Sequence, residues 1–138
     1  MIIRPVMEYE LPQILREAAA FDLDVQSPNY RQFSVVEHNQ AIVGFGRIIR
    51  HAGFSELATV GVIKKEQGKG YGSALVKAMA VRVESEPLYL VTVLPDYFKR
   101  LGFEVSTETI AVLQPKIRFC EIFGFRREEI ATMRFKEA

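Results

Sequence analysis

The run Val62-Ile63-Lys64-Lys65-Glu66-Gln67-Gly68-Lys69-Gly70-Tyr71-Gly72-Ser73 constrains this chain most, because it sets three alternating glycines between a strand and a helix. Upstream, residues 54–63 are nearly continuous in small and apolar side chains, as in a strand covered on both faces, with Glu56 the exception. Downstream, Leu75, Met79 and Val83 recur at i+4 spacing while Lys77, Arg82 and Glu84 point elsewhere, which predicts an amphipathic helix over 71–84. Glycines let such a turn aim its N–H groups inward and approach a ligand closely, and the positive end of the following helix favours a phosphate. The amides of Gly68, Gly70, Gly72 and Ser73 are the ones so placed, with Lys69 either adding charge or sitting in solvent. On composition alone, a flexible connection that merely needs glycine is the simpler reading.

Two nucleotide motifs are excluded by spacing. A Walker-type loop needs Gly-x-x-x-x-Gly-Lys-Ser/Thr, but Ile63 stands five residues before Gly68, and Lys69 is followed by Gly70. A dinucleotide fingerprint needs Gly-x-Gly-x-x-Gly, but Gly68 and Gly70 lead to Ser73, and Gly70 and Gly72 lead to Leu75.

The chain has 138 residues, 49% of them hydrophobic, which suits one domain over 1–138 with a continuous core. Eighteen basic residues against 17 acidic ones leave a net charge of +1, so no global field draws the molecule to nucleic acid or anionic membrane. Cys120 is the single cysteine, and His38 and His51 are the only histidines. That excludes an intrachain disulfide and a Cys-rich metal site, makes no metal the expectation, and fits a reducing compartment. Ile2, Ile3, Arg4 and Pro5 lack the apolar core of a signal peptide, and no apolar run approaches the ~20 residues of a membrane span. The expected location is cytoplasmic.

Along the chain, residues 2–6 read as a first strand, and Pro12 suits the first turn of a helix whose apolar face is Ile14, Leu15, Ala18 and Ala19. Residues 22–30, with Asp22, Asp24, Ser27, Pro28 and Asn29, read as a loop or a broken helix. Residues 33–37 and 41–49 have hairpin spacing, and Gly44 and Gly46 point to close backbone approach. Residues 88–94 form a further strand. Pro95 opens a short helix that Gly102 closes, Phe103 resumes extended chain, and residues 130–135 form a last strand. Residues 115–125 carry no clear periodic signal and are ambiguous.

Gln67-Gly68-Lys69-Gly70-Tyr71-Gly72 resembles the GNAT superfamily of N-acetyltransferases, whose pattern is Gln or Arg, two residues, Gly, one residue, then Gly or Ala after a central strand. The resemblance extends in order to Ile3-Arg4-Pro5, Ile42-Val43-Gly44-Phe45-Gly46, Glu56 six residues before Val62, and Arg100-Leu101-Gly102-Phe103. It implies an α/β (α+β) fold: a mixed sheet splayed around its fourth strand and flanked by helices. Acetyl-coenzyme A would be the co-substrate, its pyrophosphate on residues 67–73, including Gln67 and Tyr71, and its pantetheine amides on backbone groups of Val60, Gly61 and Val62. The implied reaction is direct acetyl transfer to an amine, catalysed by positioning and by a fixed N–H near Val62.

An amine attacks only when unprotonated, so a proton acceptor is useful. Glu56 stands where many members of the superfamily carry a catalytic glutamate; by residue type alone it is a strand-end carboxylate in water or a salt bridge. The superfamily's acid, a tyrosine four residues before the glycine of the Gly-Phe pair, is replaced here by Phe98. Tyr97 is then the candidate acid, although neighbours on a helix point about 100° apart. A buried tyrosine otherwise serves as core, and the leaving thiolate can take its proton from water or substrate. The asparagine common before this helix is also absent. Val91-Thr92 followed by Tyr97-Phe98 and Leu101-Gly102-Phe103 is similar to the branch that contains N-acetylglutamate synthase-type enzymes.

The implied acceptor is a small-molecule amine of the amino-acid or polyamine type. A protein N-terminus or lysine is the second choice, and a coenzyme A-binding module without catalysis the rival. Asp22 and Asp24 suit a cationic amine, Arg47, Arg50 and His51 a carboxylate; as solvated loop acids and a basic strand edge they have simpler readings. His51 and Cys120 are placed outside the site, as a surface residue and buried filler. A homodimer is left open by the resemblance.

Overall fold

The protein is described here by a computed structural model covering residues 1–136. Seven strands form one sheet in the order β1-β2-β3-β4-β5-β7-β6: β1 Ile2–Pro5, β2 Phe33–His38, β3 Ala41–His51, β4 Phe54–Val62, β5 Leu88–Thr92, β6 Phe103–Val105 and β7 Ala131–Phe135. Four helices accompany them: α1 Leu11–Ala20, α2 Tyr71–Ala80, α3 Pro95–Lys99 and α4 Gln114–Ile122. The mixed α/β sheet flanked by helices is the expected architecture.

The two faces of the sheet bury different side chains because strand residues alternate. On β2, Phe33 and Val35 join Val6, Ile14, Ala18, Ile42 and Phe45 in a core under α1. Val36 points the other way, into a second core with Val43, Leu57, Leu75, Met79, Leu90 and Met133 under α2. A Cβ on Gly46 would stand 3.3 Å from both Met79 and Val60, so this glycine lets α2 and the bulged part of β4 approach the strand. The hairpin between β2 and β3 turns on Asn39 and Gln40, both with positive φ (51° and 63°), the geometry that matches strand twist.

Several boundaries differ from the sequence reading. The helix expected over 71–84 ends at Ala80, and Val83 packs against the core from the turn beyond it. Strand β5 stops at Thr92, whose hydroxyl accepts the Leu94 N–H at 2.9 Å and so turns the chain before Pro95. Ala19 is exposed, leaving Ile14 and Ala18 as the buried face of α1. The ambiguous stretch at 115–125 is mainly helix α4, anchored by buried Ile117.

The feature that shapes the site is the way the sheet comes apart. Strands β1 to β4 are antiparallel, and β5, β7 and β6 form a second antiparallel set. The two sets meet only through the parallel pairing of Ser55 with Leu88 and Glu56 with Tyr89. Beyond Glu56, β4 follows β3 while β5 follows β7. A bulge steers β4 away: Phe45 pairs with Gly61 but Arg47 with Ala58, so one extra residue is inserted in β4. Thr59 sits at this bulge with φ of 56°, unusual for a β-branched residue. Its hydroxyl offsets the strain by donating to the Asp24 carbonyl (2.8 Å) and accepting from Arg47 Nε (2.9 Å).

Candidate active site

The gap between the strands opens into a cavity of about 940 Å³. Its walls come from β4 (Leu57 through Val62), the glycine turn, residues 90–94 with Tyr97 and Phe98, the loop after α1, and α4. On the β5 side, residues 57–62 have no ladder partner among the described residues. Backbone donors and acceptors of Val60, Gly61 and Val62 therefore line the cavity edge. Gly61 also meets a packing demand: a Cβ there would lie 2.6 Å from the Phe45 ring.

At one end lies the glycine turn. Gly68 and Gly70 have φ of +82° and +88°, and nothing lies within 4 Å of where a Cβ would stand on either. Gly70 is also the N-cap of α2 and supplies no side chain, so the first amides of that helix are left open. Gln67 ties the turn to the strand by donating from Nε2 to the Val62 carbonyl at 3.0 Å. Gln67, Gly68, Gly70, Tyr71, Gly72 and Ser73 all line the cavity. Lys69 does not; its ammonium is exposed and donates to Glu66 at 2.9 Å, an interaction that raises the lysine's pKa and lowers the glutamate's.

Tyr97 reaches this end from α3. Its hydroxyl lies 3.1 Å from Ser73 Oγ, while Phe98 turns into the core against Phe103. The 100° offset between neighbours thus points the Tyr97 hydroxyl at the glycine turn, while Phe98 borders the cavity from the core.

The opposite end is built from charged side chains. Glu56, only 6% exposed in its side chain, has Oε1 2.9 Å from His51 Nε2 and Oε2 3.5 Å from Lys116 Nζ. Oε2 is buried without a hydrogen-bond partner among the described residues. Lys116 Nζ is also 3.6 Å from Asp24 Oδ2. Behind them, Arg47 is 1% exposed, donating to Thr59, to the carbonyls of Gln26 and Asp24, and to the Gln32 side chain. Burial pulls the guanidinium's pKa down, opposed by Asp24 and Glu56.

The structure therefore corrects several readings. Arg47 is neither a strand-edge charge nor open to a ligand; it is the buried tie for residues 24–32. His51 contacts Glu56 directly, and Cys120 lines the cavity, so both lie in or beside the site. Burial pushes the Cys120 thiol upward, away from thiolate chemistry. Asp24 lies in the wall beside Lys116 rather than as a solvated acid. Lys116 was not singled out from the sequence; its trace there is a lysine set among Leu113, Ile117 and Cys120 at helical spacing.

Residues 29–105 match the acetyltransferase (GNAT) domain family. The chain belongs to the GNAT family. It is thus an acetyl-CoA-dependent N-acetyltransferase, and the GNAT resemblance read from residues 3–103 stands. Solved structures share the fold. Rv2747 of Mycobacterium tuberculosis, solved with CoA, superposes with a TM-score of 0.74 at 18% identity, covering 100% of both chains. N-acetylglutamate synthase of Neisseria gonorrhoeae, solved with coenzyme A and N-acetyl-glutamate, gives 0.75 at 17% identity over 99% of this chain and 35% of that one. Naa50 of Arabidopsis thaliana, solved with a bisubstrate analogue, gives 0.67 at 17% identity over 99% and 98%. Among the described residues, no helix of this GNAT enzyme is long and apolar enough to cross a membrane, and no cluster of metal-binding side chains is present.

The residues present fit coenzyme A. Open positive-φ glycines and an uncapped helix start suit the pyrophosphate, and the unladdered edge of β4 suits the amides of the pantetheine arm. A side chain on Gly72 would meet the Tyr97 hydroxyl at 3.1 Å and Val62 Cγ2 at 3.2 Å, so the turn's third glycine keeps that passage narrow but clear.

Proposed function

We propose that this enzyme moves an acetyl group from acetyl-CoA to the primary amine of a small molecule of the amino-acid or polyamine type, by direct attack in a ternary complex. One observation carries the reading: a single cavity runs from the glycine turn, through the gap between β4 and β5, to carboxylates at Asp24 and beside it at Glu56. Acetyl-CoA supplies the activated acyl group. The chain supplies an anion cradle in the amides of Gly68, Gly70, Gly72 and Ser73, and a backbone rail at Val60, Gly61 and Val62. Gln67 holds the cradle to the rail, Tyr71 walls it, and Lys69 contributes its backbone to the turn.

Glu56 is the proton acceptor. Its free Oε2 faces the ammonium of Lys116, which stands where an acceptor's ammonium would be drawn, and His51 holds Oε1 so that the carboxylate keeps one orientation. Tyr97 is the proton donor to the departing sulfur, its hydroxyl steadied by Ser73 at the turn end of the cavity. On that assignment Tyr97→Phe lowers kcat by about tenfold and leaves the Kd for coenzyme A within about twofold; an unchanged kcat removes Tyr97 from the mechanism.

Calorimetric titration of acetyl-CoA, with free coenzyme A and ATP as comparisons, tests the assignment before any acceptor is known. Micromolar binding, about 8 kcal/mol, with ATP much weaker supports it and justifies an amine panel scored by thiol release. Turnover confined to peptides bearing a free N-terminus or lysine would replace the small-molecule reading by the protein one. Tight binding without turnover on any amine would leave a coenzyme A-binding module.

A further inference from the structure

Among the described residues, Lys116 is the one cavity-wall amine that stands against the proposed proton acceptor. It enters from α4, a segment outside the residues matched by the family, and its side chain is 14% exposed. Its Nζ lies 3.5 Å from Glu56 Oε2 and 3.6 Å from Asp24 Oδ2, longer than the hydrogen bonds around it. The ammonium is therefore held by charge without being locked by a short bond, and Oε2 is left with no hydrogen-bond partner among the described residues. This is the arrangement that an amine substrate needs: a primary amine in the transfer cavity with a carboxylate in reach to take its proton.

We infer that Lys116 is an internal acceptor, acetylated by the enzyme itself when acetyl-CoA is bound and no external amine fills the cavity. The inference rests on the proposed acetyl transfer. In the step, Glu56 Oε2 takes a proton from the Lys116 ammonium, and the freed Nζ attacks the acetyl carbonyl carbon. The N–C bond forms, the C–S bond breaks, and its electron pair leaves on sulfur. Of the two protons lost by nitrogen, one ends on the thiolate to give free coenzyme A and the other goes to solvent. The product is an amide at Lys116, which removes the positive charge between two carboxylates and changes the acceptor end of the cavity. Exposed lysines such as Lys65 and Lys77 lack any carboxylate partner among the described residues and serve as internal references for chemical acetylation.

The full chain is incubated with acetyl-CoA in the absence of amine, followed by intact mass and peptide mapping; acetyl phosphate is the non-enzymatic control, and binding is measured in parallel by calorimetry. The expected result is one adduct of about 42 Da on Lys116, formed at least about tenfold faster than on Lys65 or Lys77, suppressed by free coenzyme A and absent in Lys116→Arg. Acetyl phosphate shows no such preference. Intact binding of acetyl-CoA with Lys116 unmodified, or modified no faster than the exposed lysines, overturns the inference and leaves the proposed function standing. Failure to bind acetyl-CoA overturns both.

Discussion

The glycine turn draws its ligand groups from one short run of backbone, whereas the opposite end brings together side chains from four separate segments: Asp24 after α1 and Lys116 on α4 in the cavity wall, with Glu56 on β4 and His51 on β3 behind them. The first end is open at Gly68 and Gly70, and its chemistry is that of free N–H groups and a helix start. The second is largely buried and charged, and Lys116 is held there by carboxylates distant in sequence, while His51 reaches Glu56 across the β3–β4 hairpin. A backbone site of this kind depends on which residues can take positive φ; a side-chain site depends on how the chain packs around it. Binding should therefore respond to changes at one end and turnover to changes at the other.

Gly70→Glu is the strongest test of that division. It adds a carboxylate to the anion cradle at a φ of +88°, and coenzyme A binding should weaken by at least about a hundredfold, roughly 2.7 kcal/mol. Circular dichroism should still report a folded protein; unchanged affinity would break the comparison at its cofactor end. At the other end, Glu56→Gln should lower kcat by about a hundredfold at neutral pH while calorimetry finds the coenzyme A affinity nearly constant. Equal losses in both quantities would mean that the two ends are not separable.

Smaller effects sharpen the contrast. Thr59→Val leaves Arg47 Nε without its acceptor and removes the shorter of the two hydrogen bonds to the Asp24 carbonyl, which should cost about 1–3 kcal/mol in a urea titration with unchanged slope. The acceptor's KM should rise, with coenzyme A binding little affected. A last change lies outside both ends. The Glu10 carboxyl is held below its ordinary range chiefly by its hydrogen bond from Arg4, with the Met7 N–H assisting and burial opposing. A lowered folded value means stability that is present above the unfolded value near ~4.3 and lost as pH falls through the folded one. Glu10→Gln should therefore lower stability by about 1 kcal/mol at neutral pH and flatten its fall in acid, with kcat untouched.

Much of the fold was legible because its signals are local. Proline at the start of α1 and α3, glycine at 102 with φ of +95°, hairpin turn residues and i+4 leucine and methionine on α2 each act within a few residues. The end of α2 and the stop of β5 at Thr92 were less so, since a side-chain bond to Leu94 and the packing of Val83 decide them. For α4 the weak amphipathicity of residues 114–122, with only Ile117 fully buried, leaves little periodic signal to read.

The candidate site divides in the same way. Residues 67–73 by themselves pointed to the proposed anion cradle, because glycine accepts the positive φ that opens the amides of such a turn, whereas telling it from a plain flexible connection took the rest of the pattern. Tyr97 was visible as the candidate acid beside Phe98, but only α3's orientation brings its hydroxyl to Ser73 at the turn. Arg47, His51, Asp24 and Lys116 carry ordinary surface chemistry as letters. Their roles come from tertiary pairing: the bulge at Thr59 ties down Arg47 and the Asp24 carbonyl, the β3–β4 register brings His51 to Glu56, and α4 carries Lys116 to Glu56 and Asp24. Local dihedral preferences act over a few bonds and can be read from neighbours, whereas burial and charge pairing arise between residues that meet only when the sheet has formed.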